Sequence, residues 1–144
     1  NKVYHTLVDG TPPSARGRIQ ASIGRATSHR KLMAVVPDQK GRVAISEYFT
    51  LENFLQHTLL EVHPSTGRTH QIRLHLKFIG CPVAGDTIYG NRHSSIPLDR
   101  HFLHAFQITF CLPGASEECT FTAPLPEELQ NVLDQLRAAR LSEI

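Results

Sequence analysis

Between Thr58 and Pro82 the hydrophobic pattern changes period, and no other feature limits the fold so strongly. Thr58–His63 is β-prone and reads as a strand. From Thr69 onward Ile72, Leu76 and Ile79 recur at helical spacing, with His70, Arg73 and Lys77 on the opposite face. Thr66 or Thr69 can cap this helix, and Gly80 followed by Pro82 stops it. The helix is therefore expected near residues 69–79, packed on a sheet by its aliphatic face and presenting a cationic one. Leu74 and Phe78 flank the cationic face, so that face is expected to be partly covered.

The rest of the chain supplies the sheet. Residues 2–8 alternate as a strand, and the run Asp9-Gly10-Thr11-Pro12-Pro13 breaks it. A short strand follows near Gly17–Ile23, then a basic loop from Arg25 to Lys31 and a turn at Pro37–Gly41. Val43–Leu51 and Thr58–His63 read as a hairpin, and Phe102–Leu112 and Thr120–Thr122 as two more strands. Pro124-Leu125-Pro126-Glu127-Glu128 opens a last helix whose apolar stripe is Leu129, Val132, Leu133 and Leu136. Several strands, two helices and no βαβ rhythm predict an α+β fold over residues 1–144, a mainly antiparallel mixed sheet with flanking helices. The chain opens at Asn1 inside a strand-like run, which suggests part of a larger domain. An incomplete fold should leave an apolar patch or an unpaired sheet edge, with self-association through that surface.

Charge narrows the partner. Residues 1–42 hold eight basic side chains (Lys2, Arg16, Arg18, Arg25, Arg30, Lys31, Lys40, Arg42) against Asp9 and Asp38, which suits a polyanion or an ordinary solvated surface. No apolar run is long enough for a membrane-spanning helix. Cys81, Cys111 and Cys119 lack CxxC spacing and are odd in number, as in a reducing, cytoplasmic compartment. The nine histidines have poor metal-ligand spacing, so no metal site is expected.

Taken by themselves, the candidate residues stop short of a reaction. Arg73 on a partly buried helix face needs an anionic partner, either an internal carboxylate or a phosphate. Tyr4 and Leu103 fit core positions of strands, and Asp86 between Gly85 and Thr87 fits a turn.

A longer pattern goes further. Ser65-Thr66-Gly67-Arg68-Thr69-His70-Gln71-Ile72-Arg73, with Gly80-Cys81-Pro82, Gly85-Asp86 and Tyr89-Gly90 after it, resembles the TGRTHQIR…GHP…GD..YG signature of RluA-like pseudouridine synthases. The resemblance covers almost the whole chain. Lys2–Gly10 is similar to the family's KxYxAxVxG strand and Val43–Tyr48 to its AxTxY strand. Arg100–Ala105 is similar to RxxLHA, and Phe121–Pro126 to FxAPLP.

The resemblance implies a pseudouridine synthase-like fold that isomerises uridine in structured RNA, ribosomal or transfer RNA, without metal or organic cofactor. It implies that Tyr4 packs on the target base and is a candidate to take the C5 proton. Arg73 then pairs with a catalytic Asp, and Leu103 supports the floor of the site. Arg68, Thr69 and His70 are expected in structural or RNA-facing roles. Arg16, Arg18, Arg25, Arg30, Lys31 and Lys77 are expected on phosphates.

Cys81 and Ser46 stand where the family commonly has His and Thr. The family's nucleophilic Asp lies in an HRLD-type motif that these 144 residues do not contain, and none of the five aspartates (Asp9, Asp38, Asp86, Asp99, Asp134) sits in that context. Two classes therefore stay open: the C-terminal part of a synthase catalytic domain, inactive by itself, or a non-catalytic RNA-binding module.

Overall fold

Residues 1–29 and 31–142 are described by a computed structural model. The elements run β1 (Lys2–Asp9), β2 (Arg16–Gln20), β3 (Ile23–Arg25), β4 (Met33–Val35), β5 (Ile45–Asn53), β6 (His57–Pro64), α1 (Gln71–Phe78), β7 (Leu103–Cys111), β8 (Glu118–Thr122) and α2 (Glu127–Ser142). Six strands form one sheet in the order β2-β5-β6-β1-β7-β8, and β3 and β4 make a separate ribbon. Every ladder is antiparallel. This is the α+β architecture that the strand runs predict.

Strand alternation gives the sheet two working faces. Tyr4 and Tyr48 both pair with Val62, and Thr6 pairs with Leu60 and Leu103, so these side chains share one face. That face receives α1: Ile72 and Leu76 pack with Val8, Ile19, Tyr48, Leu60 and Val62, and Ile79, Tyr4 and Leu103 join at the margin. The other face receives α2, where Leu129, Val132 and Leu133 meet Leu7, Leu59 and Phe102. Each such aliphatic side chain contributes about 1.5–3 kcal/mol by leaving water. Glu52 ties α2 to β5 through Arg137 (2.8 Å) and Arg140 (2.8 Å).

The structure revises two local expectations and bears out a third. The strand expected near 17–23 is two strands, because Ala21 leaves the β2 line to bond the Ala44 carbonyl and Ile23 begins the ribbon. Neither threonine caps α1. Its N-cap is His70, in the left-handed region at φ 56°, and no side chain caps it. The cationic face is partly covered, as expected: Arg73 is buried, whereas Lys77 is exposed and Phe78 is uncovered beside it. Six consecutive residues from Gln71 to Leu76 are buried, so the helix is covered nearly all round.

The two edges differ. β2 turns Arg16 and Arg18 outward. Along β7 and β8 the rings of Phe110 and Phe121 stack 5.6 Å apart, and Phe110, Phe121 and Ile108 are exposed.

Candidate active site

A cleft of about 570 Å³ opens where the N-terminal end of α1 meets β1 and the start of β7. Tyr4, Arg73 and Leu103 all line it, with Lys2, Arg68, His70, Gln71 and His101. No Asp or Glu is among the lining residues. An acid-free wall carrying Lys2, Arg68 and Arg73 suits an anionic ligand.

Arg73 is held from behind. Its Nε donates to Asp86 Oδ2 at 2.7 Å and its Nη2 to Asp86 Oδ1 at 2.9 Å. The guanidinium also lies over the Tyr89 ring, 4.8 Å from its centre. Asp86 accepts further bonds from the N–H groups of Ile88 (3.2 Å) and Tyr89 (3.1 Å). Burial alone would push the Asp86 carboxyl up. The Arg73 bonds and charge and the two N–H donors outweigh it, and the pKa falls below the usual value. The Asp86 side chain is 1% exposed, sealed behind the arginine. Nη1 has no hydrogen bond among the described residues and is not sealed from solvent, so this nitrogen stays open on a side chain that lines the cleft. The internal carboxylate, one of the two partners open from sequence, is thus the one present. Asp86 is more than a turn former, although thirteen residues of separation and the intervening break at Gly80 and Pro82 gave no local sign of the pair.

Gly85 makes this arrangement possible. Its φ is +82°, and a Cβ there would lie 2.2 Å from the Arg100 carbonyl oxygen. Only glycine lets the Arg100–His101 backbone press against the turn that carries Asp86.

The rest of the signature folds into a buried polar chain that sequence reasoning missed. Gln71 Oε1 accepts from the Thr66 hydroxyl (2.6 Å) and the Arg68 N–H (3.1 Å). Gln71 Nε2 donates to the Ile45 carbonyl (2.9 Å) and to Ser46 Oγ (2.9 Å). His75 is fully buried, with Nε2 3.0 Å from the Ala21 carbonyl and Nδ1 2.8 Å from Ser46 Oγ. A carbonyl only accepts, so Nε2 carries the proton and Ser46 donates to Nδ1. Burial pushes the His75 pKa down, partly offset by the Ala21 carbonyl, which favours this neutral tautomer. His70, at the strained N-cap, is fixed by the Tyr89 hydroxyl at 2.7 Å. Burial and the Arg73 charge lower its pKa, against the opposing pull of Asp86.

The remaining candidates lie elsewhere. Arg16 and Arg18 project from the sheet face opposite Tyr4, because Ile19 between Arg18 and Gln20 points into the core under α1. Arg16 lies over Phe49, 5.6 Å from the ring centre. Arg25, Lys31 and Lys77 are exposed and outside the cleft lining, and Arg30 falls outside the described residues. Arg68 does line the cleft, with its Nε anchored on the Val43 carbonyl at 2.9 Å.

Known proteins share this framework. Residues 1–78 match the sequence model of the family described as RNA pseudouridylate synthase. An uncharacterized RNA pseudouridine synthase of Chloroflexus aurantiacus is 49% identical over 136 residues, covering 94% of this chain and 42% of that protein. The ribosomal large subunit pseudouridine synthase D of Vibrio cholerae is 38% identical over 147 residues, covering 93% and 44%. The chain thus spans less than half the length of these relatives. The structure of human RNA pseudouridylate synthase domain containing 4 superposes with a TM-score of 0.78 at 26% identity, over 94% of this chain and 62% of that one. With its signature segment, its antiparallel sheet and these likenesses, the chain belongs to the RluA-like family of RNA pseudouridine synthases.

Proposed function

We propose that this chain forms the uridine-binding side of a pseudouridine synthase active site acting on structured ribosomal or transfer RNA in the cytoplasm. The observation that carries the proposal is that Tyr4, Leu103 and Arg73 line one and the same cleft, which has no acid in its lining, with Arg73 Nη1 left open. In the reaction the uridine N1–C1′ bond breaks and a C5–C1′ bond forms. The proton lost from C5 is balanced by one gained at N1. No other atom enters or leaves, and the proposed chemistry uses no metal or organic cofactor.

Within this reading Tyr4 and Leu103 hold the two faces of an unstacked uracil, and Tyr4 is the candidate to take the C5 proton. Nη1 of Arg73 offers a charge-assisted hydrogen bond that orients a catalytic carboxylate and keeps it ionised. That carboxylate cannot be Asp86, which is sealed behind the guanidinium. With no Asp or Glu in the cleft lining, this reading takes it from a segment other than these 144 residues. The 144-residue chain alone is therefore expected to release no tritium from C5-labelled uridine in a structured RNA. A chimaera that adds the unmatched part of the Chloroflexus aurantiacus relative is expected to release it, at a rate unchanged by a chelator. Turnover by the chain alone would overturn the missing-carboxylate proposal, and a chelator-sensitive rate would overturn the metal-free one.

The completeness of the Arg73–Asp86 pair favours a second reading, an RNA-binding module without turnover. RNA binding with a chimaera that stays inactive would support it. Both readings expect salt-dependent RNA binding. Replacing Lys2 and Arg68 by Gln is expected to reduce the slope of log affinity against log salt by about 1.5 units. Replacing Arg16 and Arg18 should leave it nearly unchanged. The reverse result would put the RNA on the sheet face opposite Tyr4.

A further inference from the structure

We infer that His101 is a substrate-contacting residue whose imidazole hydrogen-bonds the edge of the uracil held between Tyr4 and Leu103; this rests on the cleft reading above. Three observations carry it.

The first is direction. Phe102 is fully buried and packs with Leu7 and Leu133 on the α2 face of the sheet. Its N–H bonds the Ala84 carbonyl, and its carbonyl accepts from the Leu7 N–H and the Thr6 hydroxyl. The Leu103 N–H bonds the His101 carbonyl at 3.0 Å, a tight turn about Phe102 just before β7, so Phe102 goes to the α2 face while His101 and Leu103 on either side of it stay on the cleft side. Both line the cleft. A planar ring resting on Leu103 presents its edge to the neighbour two residues away along the chain.

The second is an unfilled valence. Almost every other polar side chain around Arg73 is spoken for: Asp86 and Tyr89 by the arginine itself and by backbone, His70 by Tyr89, and Gln71 by Thr66, Ser46 and Ile45. The His101 ring has no hydrogen bond among the described residues, and neither nitrogen is sealed from solvent. Only its backbone is bonded, the carbonyl accepting from the Leu103 N–H and from Arg100 Nε. An imidazole that is half-buried, pinned by its backbone and open at both nitrogens is placed for a ligand.

The third is protonation state. Burial comes first among the causes that hold His101 below the ordinary histidine value. The charges of Arg73, Arg100 and His70 add to it, and Asp86 opposes them. These groups reach the ring from α1 and its cap, from the Gly85 turn and from the residue before it in the segment leading into β7. A neutral imidazole offers one donor and one acceptor, the complement of a uracil edge that alternates carbonyl oxygens with N3–H. A phosphate, by contrast, would call for the cation.

The test is carbon-13 histidine NMR of this chain titrated with uridine 5′-monophosphate and with ribose 5-phosphate. The His101 signal, assigned by its loss in His101→Phe, is expected to move saturably with the nucleotide and to stay in place with the sugar phosphate. His101→Phe should weaken the nucleotide by about threefold to tenfold, the usual worth of one exchanged neutral hydrogen bond, and leave ribose 5-phosphate unchanged. His101→Gln, with an amide donor and acceptor, should recover most of the loss. Equal movement with both ligands would make His101 a phosphate contact and overturn the inference. If the nucleotide moves His70 but not His101, the inference fails and the cleft reading stands. If neither signal moves, both fail. Loss of the same signal in His101→Gln supplies the assignment if the Phe variant folds poorly, so the wild-type titration remains a valid test.

Discussion

Arg73→Ala is expected to lower the unfolding free energy by about 3–5 kcal/mol, because it leaves a sealed carboxylate with no countercharge. Asp86 is 1% exposed at its side chain and cannot turn to water for solvation. The two N–H bonds from Ile88 and Tyr89 remain, but they do not replace a bidentate guanidinium. Urea unfolding with an unchanged m-value would measure the loss. A cost below about 1 kcal/mol would mean that Asp86 takes up a proton or moves to solvent with little resistance. The double variant Arg73→Ala with Asp86→Ala should recover part of the loss, since the uncompensated charge is gone. This has a consequence for kinetics. Any rate lost in Arg73→Ala mixes unfolding with the loss of Nη1. Arg73→Lys is the better probe of chemistry: the charge stays near Asp86, but one ammonium cannot hold Asp86 with two donors and also present a fixed third donor to the cleft. In an active chimaera that variant should lose far more rate than RNA affinity. Acid reinforces the same point. The folded pKa of Asp86 lies below its ordinary 3.8, so its contribution to stability is complete above that value and drains away as the pH falls through the lower one.

What the sequence made legible was whatever depends on period and local chemistry. Alternation in residues 2–8 and 102–112 placed β1 and β7, and the Leu129–Val132–Leu133 stripe placed α2 on its face of the sheet. The helix of the signature appeared where the spacing of Ile72, Leu76 and Ile79 put it, but shorter, because His70 takes a left-handed conformation, which histidine tolerates better than most residues but which hydrophobic period does not announce. Nothing local announced that Arg73 meets Asp86, since that contact is made by a glycine turn returning under the helix. Nor did charge counting separate Lys2 and Arg68, which face the cleft, from Arg16 and Arg18, which face away from it; the register of β2 decides that, and register is a property of the sheet. His75 and Ser46 read as an unremarkable histidine and a departure from a familiar pattern. Together with Gln71 they are the polar link between helix and sheet.

That link underlies the other large effect. His75→Ala is expected to cost about 3 kcal/mol, because it opens a cavity and strips two buried groups of their partner at once. The Ala21 carbonyl loses its donor and the Ser46 hydroxyl its acceptor, in a site with 0% exposure at His75. Ser46→Ala should cost less, because Gln71 keeps its bond to the Ile45 carbonyl. The pair should be less than additive, since each removes the same bond. Protonation gives a second signature. The folded pKa of His75 lies below its ordinary 6.5, so the unfolded chain takes up the proton first. The stability that His75 provides is therefore whole above about pH 6.5 and is lost as the pH falls from there through the folded value. His70 and His101 are shifted in the same direction and act in the same window. Wild-type stability should thus begin to fall near pH 6.5, well before the carboxylates titrate, and His75→Ala should flatten that first decline by up to about 1.4 kcal/mol per pH unit, the limit for one proton. A wild-type stability that stays level from pH 7 to 5 would show that His75 is not held neutral, and with it that the Ser46 hydroxyl does not point where the network puts it.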